Sequence, residues 1–259
     1  PAAIDQADYL VVESSYGDRL HSSQSPMKAL QWIILQTLER KGHLIIPSFA
    51  IGRTQELLFL ISKLKAQNQI PDVPVFLDSP MGINATEIFL EHPDWHKLGP
   101  KEIKSLSKVV TMVRHQQQSK ELMSRRGSTI VIAGSGMVSG GRVLHHLADK
   151  LPYEKNTVLL VGYQAAGTRG RLLKDGITEL KIHGQYVPVR AKIEEISSLS
   201  AHADQSEILK WLKNFKTPPK KTFIVHGEPQ ASDALRVKIQ DTLGWNVCIP
   251  KPLEISELT

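Results

Sequence analysis

The sequence predicts an α/β fold in which a mainly parallel sheet is flanked by helices. Strand and helix patterns alternate as βαβα over about 130 residues. Stretches such as Tyr9–Val12 and His43–Ile46 are continuous apolar runs, the habit of strands buried on both faces. These runs end in polar or glycine turns, where α/β proteins expose reactive side chains.

Taken in order, Tyr9–Val12 is a strand that ends at Glu13-Ser-Ser-Tyr-Gly17. Pro26 opens a helix at its first position and Gly42 closes it. After the strand at His43–Ile46 comes the loop Pro47-Ser-Phe-Ala-Ile-Gly52, then an amphipathic helix from Arg53 to Lys65. Val73–Leu77 is a strand, and Asn84–Glu91 a helix. Residues 92–107, rich in His, Trp and Pro, read as an irregular excursion. A strand at Val109–Val113 and a short helix at Ser119–Ser124 follow. The strand Thr129–Ala133 leads through Gly134-Ser-Gly-Met-Val-Ser-Gly-Gly141 to a helix at Arg142–Lys150. Thr157–Val161 is one more strand, and Gly170–Lys174 a helical turn.

Beyond Thr178 the pattern changes. Thr178–Ile182 and Tyr186–Glu195 form the arms of a hairpin across His183-Gly184-Gln185. A strand at Lys192–Ile196, a helix at Gln205–Asn214, a strand ending Phe223-Ile-Val-His226, a helix at Ser232–Leu243 and a strand at Asn246–Ile249 complete the chain. A domain boundary is expected near residue 190, and the Tyr9 strand is assigned to the C-terminal part. That strand starts so near the terminus that the sequence is expected to belong to a longer protein.

Composition narrows the function classes. With 41% hydrophobic and 22% charged residues this is an ordinary globular chain. No apolar run approaches the ~20 residues of a membrane span. The single cysteine, Cys248, excludes an internal disulfide and suits a reducing, cytoplasmic setting. A net charge of +6 points to an anionic partner.

Two histidines draw attention. His202 and His226 each follow a strand, separated by about one strand–helix–strand crossover. Parallel strands ending at one edge would bring both rings over one cleft. Asp204, three residues before Glu207, reads as a helix cap. Gly134-Ser-Gly136 is not a dinucleotide fingerprint, because Ser139 stands where its third glycine belongs. Ser135, Gly136 and Met137 could still offer N–H groups to phosphate, or pack tightly as a strand–helix turn. Ser48 and Arg53 flank a second such loop; Arg53 either clamps phosphate or pairs with Glu56. The doublet His145-His146 points about 100° apart on its helix and reads as surface.

Several stretches together resemble the metallo-β-lactamase-fold nucleases of the β-CASP group. They are Val12-Glu-Ser-Ser-Tyr-Gly-Asp-Arg19, Pro47-Ser-Phe-Ala-Ile-Gly-Arg-Thr-Gln-Glu-Leu57, Leu77-Asp-Ser-Pro-Met81, Gly134–Arg142, Gly162-Tyr-Gln-Ala-Ala-Gly-Thr168, Ser200-Ala-His-Ala-Asp204 and Val225-His-Gly-Glu228. That group includes the endonuclease of pre-mRNA 3′-end cleavage and its bacterial and archaeal ribonuclease relatives; the flavour here is bacterial. The resemblance implies that Glu13 is the acid of the first β-CASP motif and holds His202. It implies that His202 protonates the leaving oxygen, and that His226 is a metal ligand of the RNA-acting branch, where the DNA-acting branch typically has valine. It implies that residues 18–190 are a β-CASP domain. Residues 1–17 and 191–259 would then be pieces of a metallo-β-lactamase αββα domain.

By the same resemblance the cofactor is zinc, two ions in the full-length parent, and the partner is RNA, with a homodimer allowed. A carboxylate-paired imidazole suits proton donation to a sugar oxygen. The family's His-x-His-x-Asp-His ligands are absent, so this chain alone is expected to bind little zinc and cleave nothing. Two rival readings are a catalytically silent RNA-binding scaffold and a phosphate- or nucleotide-binding α/β module.

Overall fold

A computed structural model describes residues 2–258; the expected domain ends at Pro1 and Thr259 lie outside them. The chain divides into two compact units, one holding residues 24–199 and the other joining the residues up to Ser23 to those from Ser200 onward.

The first unit is built on six parallel strands: β2 (Leu44–Pro47), β3 (Val75–Asp78), β4 (Thr111–Met112), β5 (Ile130–Ala133), β6 (Thr157–Val161) and β9 (Lys192–Ile196). Their order across the sheet is β4-β3-β5-β2-β6-β9. Because successive side chains leave opposite faces of a strand, each strand feeds two cores. Leu44, Ile46, Ile130, Ile132, Leu159 and Val161 join one face. Ile45, Val131, Ala133, Val158 and Leu160 join the other. Both faces being dry explains why these strands read as unbroken apolar runs. Helices α1 (Pro26–Glu39) and α2 (Arg53–Ala66) pack on the first face, and α6 (Val143–Lys150) and α7 (Arg169–Lys174) on the second. Between β3 and β5 lie α3 (Pro80–Glu91), α4 (Pro100–Val109) and α5 (Gln116–Met123).

The sequence reading needs correcting at two places here. The stretch expected to be irregular contains α4, with Pro100 at its first turn and Glu102 reaching back to the Gly99 N–H. Leu106 turns into the core and is fully buried, with Ile103 one helical turn before it partly covered. The hairpin is shorter than expected, with β7 (Glu179–Ile182) antiparallel to β8 (Gln185–Pro188). Its supposed second arm breaks after Pro188, and β9 instead pairs in parallel with β6. The first unit runs to residue 199, within about ten residues of the expected boundary.

The second unit has three parallel strands in the order β1 (Tyr9–Glu13), β10 (Lys221–Val225), β11 (Val247–Cys248). The N-terminal strand thus joins the C-terminal segment. Leu10, Val12, Ile224 and Val247 pack with Ile208, Leu209 and Leu212 of α8 (Gln205–Leu212) and with Leu235 and Ile239 of α9 (Pro229–Leu243). Although β1 reads as a continuous apolar run, Val11 is 65% exposed. No helix among the described residues is long and apolar enough to cross a membrane.

Candidate active site

Parallel pairing of β1 and β10 sets Glu13 beside Val225, so the turns after both strands start at the same edge. Ser14 ties them: its hydroxyl donates to the Val225 carbonyl at 2.9 Å and lies 2.9 Å from Ser232 Oγ. Gly227 must be glycine, since a Cβ there would sit 2.2 Å from Ser14 Oγ and 2.6 Å from Ser14 O. His226 takes the turn with φ +56°, a left-handed conformation that costs a non-glycine residue energy.

The third segment is residues 200–204. Asp204 caps α8: its carboxylate accepts from the Glu207 N–H, and Glu207 accepts from the Asp204 N–H, both at 2.9 Å. Asp204 also accepts from the His21 N–H at 2.9 Å, and His21 Nε2 donates to the His202 carbonyl at 2.8 Å. His202 therefore sits in a loop laced to the segment after β1. The expected origin of that loop was different: the strand before it, β9, belongs to the six-stranded sheet, and the neighbour of β10 is β1.

The outcome is one cluster. His202 Nδ1 lies 3.0 Å from each Glu13 carboxylate oxygen, and the His202 and His226 rings stack at 5.4 Å. Burial pushes the Glu13 carboxyl up, but hydrogen bonds from Ser15 and His202 outweigh it and hold the acid below its usual range. An ionised carboxylate only accepts, so the proton between the pair rests on Nδ1 and His202 keeps Nε2 for other work. Side-chain exposures of 30% for Glu13, 40% for His202 and 66% for His226 leave the cluster open to a ligand. Glu13, His202 and His226 can each bring one donor atom within 4.8 Å of the others. Two imidazoles and a carboxylate are donors that suit zinc.

Comparison with known proteins bears on this cluster. Residues 54–173 match the family described as the Beta-Casp domain. Residues 186–250 match the Zn-dependent metallo-hydrolase RNA specificity domain. The chain is 33% identical over 252 residues to an RNase J-like protein of Methanocaldococcus jannaschii, covering 95% of this chain and 58% of that one. It is 33% identical over 244 residues to a ribonuclease of Thermus thermophilus, covering 91% of this chain and 55% of the relative. The transcription termination factor FttA of Pyrococcus abyssi is 29% identical over 272 residues, covering 99% of this chain and 42% of that protein. The chain belongs to the β-CASP family of metallo-β-lactamase-fold proteins. It spans about half the length of the curated relatives it matches.

The remaining candidates lie in the β-CASP unit. Ser48 is 1% exposed; its hydroxyl donates to the Phe49 carbonyl and meets Thr54 Oγ1 at 3.1 Å, so it has no opening toward a phosphate. The Arg53 guanidinium pairs with Glu56 and with the Leu199 carbonyl, the second of its two expected roles. Ser135 Oγ accepts from the N–H groups of Ser139 and Gly140 at 2.9 and 3.3 Å, folding the turn on itself. Gly136 gives its carbonyl to Gln164, and Met137 gives its own to the Gly170 N–H. A Cβ at Gly136 would lie 2.7 Å from the Phe49 ring, so the glycine lets two loops pack.

Sequence reasoning missed two things. His146, read as surface, is 1% exposed and its Nε2 lies 2.7 Å from Asp78, itself fully buried. Val143, His146 and Leu147 fall on one helical face, and that spacing would have placed His146 inside. Ser15, which touches both site histidines, is the other.

Proposed function

We propose that this chain is the part of a zinc-dependent ribonuclease that supplies its proton donor and one of its metal ligands. The observation that carries the reading is the contact of His202 Nδ1 with both Glu13 oxygens at 3.0 Å, with the His226 ring stacked alongside. Support comes from the family match, from relatives named as ribonucleases, and from the RNA specificity description of the C-terminal match. The positive charge of the whole chain resides in residues 24–199, while the other unit carries a slight acidic excess. That polarity suits a nucleic-acid backbone.

In this reading the ionised Glu13 accepts a hydrogen bond from Nδ1–H, fixes the His202 ring and favours its charged form, and Nε2 delivers a proton to the departing sugar oxygen. Such transfer contributes roughly 10²–10⁴-fold to a rate. His226 holds metal through a ring nitrogen. When bound, zinc supplies a nucleophile at neutral pH and stabilises charge on the phosphoryl group. The other zinc ligands come from outside this sequence, which lacks the family's His-x-His-x-Asp-His stretch. A single cysteine of intermediate exposure agrees with a reducing, cytoplasmic setting.

The test is metal content and RNA cleavage together. This 259-residue chain should hold less than a full pair of zinc ions and leave RNA intact. In a full-length protein bearing it, His226→Ala should lower bound zinc, while His202→Ala should leave zinc in place. Two tightly held zinc ions in this chain, or zinc content unmoved by His226→Ala, contradicts the reading.

A further inference from the structure

Ser15 lies at the centre of the cluster and neither ligates nor ionises. Its Oγ is 3.1 Å from His226 Nδ1, 3.2 Å from the His226 carbonyl oxygen and 3.3 Å from His202 Nδ1. Its N–H donates to Glu13 Oε2 at 3.1 Å. At 4% exposure the residue leaves little room for water to complete these bonds differently.

One hydroxyl carries one proton, and its neighbours, the Glu13 carboxylate among them, decide where it goes. His202 Nδ1 gives its hydrogen toward Glu13 and takes none. If Ser15 donated to His226 Nδ1, its oxygen would face the His226 carbonyl acceptor to acceptor. A bare Nδ1 lone pair would also point into the field of Glu13 Oε2, 4.0 Å away. If Ser15 instead donates to an oxygen, that of the His226 carbonyl or of the Glu13 carboxylate, its own oxygen accepts the His226 Nδ1–H and no bare Nδ1 lone pair faces Glu13.

We propose that Ser15 is a positioning residue that fixes His226 as the Nδ1–H tautomer, leaving the Nε2 lone pair as the atom presented to a metal. The same hydroxyl holds the His226 carbonyl, and so braces the left-handed residue on which the ring stands. Metal-ligating histidines are commonly oriented by a hydrogen bond to the other ring nitrogen, and losing such a partner costs about 10–100-fold in metal affinity. The metal consequence rests on the ligand reading of His226; the tautomer does not.

Long-range proton–nitrogen spectra of the metal-free 259-residue chain, taken at alkaline pH with the ring neutral, read the tautomer directly. The wild type should show a protonated Nδ1 and an unprotonated Nε2 for His226. Ser15→Ala should lose that preference and weaken zinc binding about 10-fold or more in the full-length protein, and Ser15→Thr, which keeps the hydroxyl, should restore both. An Nε2–H tautomer in the wild type overturns the proposal whether or not Ser15→Ala folds. So does a preference for Nδ1–H that survives in folded Ser15→Ala. A tautomer that moves while zinc affinity stays fixed upholds Ser15 as the positioning group and overturns the ligand reading of His226 instead.

Discussion

Each unit of this chain contains an acid–histidine pair at the end of a parallel strand, and the two pairs have opposite characters. In the β-CASP unit Asp78 closes β3 and accepts from His146 Nε2 at 2.7 Å, Arg142 at 2.7 Å and Ser119 Oγ at 2.5 Å. In the other unit Glu13 closes β1 and holds His202 at 3.0 Å. The distances are similar, but Asp78 is fully buried and His146 is 1% exposed, against 30% and 40% for Glu13 and His202. Burial pushes Asp78 up, and hydrogen bonds from His146, Ser119 and Arg142 hold it below the usual range. Its bonds are spent internally, binding β3, α5 and α6 together. The exposed pair leaves one ring nitrogen uncommitted beside a strained, half-free histidine. Proximity of acid and base therefore does not mark a reactive site; what is left over after the internal bonds are made does.

The largest effect should come from Asp78→Ala. It strands a buried histidine and part of a guanidinium, and breaking such a network from one side costs about 3–5 kcal/mol. Urea unfolding checks it, and a loss under about 1 kcal/mol would erase the contrast between the pairs. Next, His202→Ala should leave the unfolding midpoint nearly unchanged and, in a full-length protein bearing this chain, lower RNA turnover by about 10²–10⁴-fold. A variant that loses stability and keeps turnover would make the second pair structural like the first.

A pH series sharpens the comparison further. Burial, aided by Lys150 and Lys155, pushes His43 down to about 4 while it bonds Thr129 Oγ1 at 2.8 Å. The unfolded chain then binds more protons, so this stability is whole above about pH 6.5 and drains away toward pH 4, about 3 kcal/mol in all. The lowered value of His145 acts in the same direction. Glu13, Asp78 and Asp204, all lowered, lose their share only below their ordinary values of 4.5 and 3.8. Urea midpoints between pH 7.5 and 4.5 should slope down, and His43→Gln should flatten them. The smallest effect is the cap: Asp204→Ala should cost about 1–2 kcal/mol through loss of its bonds to Glu207, Ser206 and His21.

How much of this could be read from the residues follows from the same physics. The dry faces of β2, β5 and β6 are written as apolar runs, so the sheet was legible. The gathering of Glu13, His202 and His226 was legible because Glu13 ends β1, His226 follows β10, and all three lie in stretches that match a motif. Ser15 was not: the side chain that touches both rings is one of two adjacent serines, and only the parallel register of β1 and β10 chooses it over Ser14. Asp78 and His146 were missed for the converse reason. Their pairing joins a strand end to a helix face across 68 positions, and nothing local announces it. Helix α4 is a different case, since Pro100, Glu102 and the Ile103–Leu106 spacing were present and were outweighed by the neighbouring His, Trp and Pro.

The proposed proton-donor role of His202 is tested most directly by changing the leaving atom. In RNA whose departing sugar oxygen is replaced by sulfur, the leaving group is acidic enough to go without a proton. The full-length His202→Ala protein should then recover most of its deficit relative to the wild type, while His226→Ala stays impaired on both substrates. An equal loss for His202→Ala on the oxygen and sulfur substrates would contradict the account.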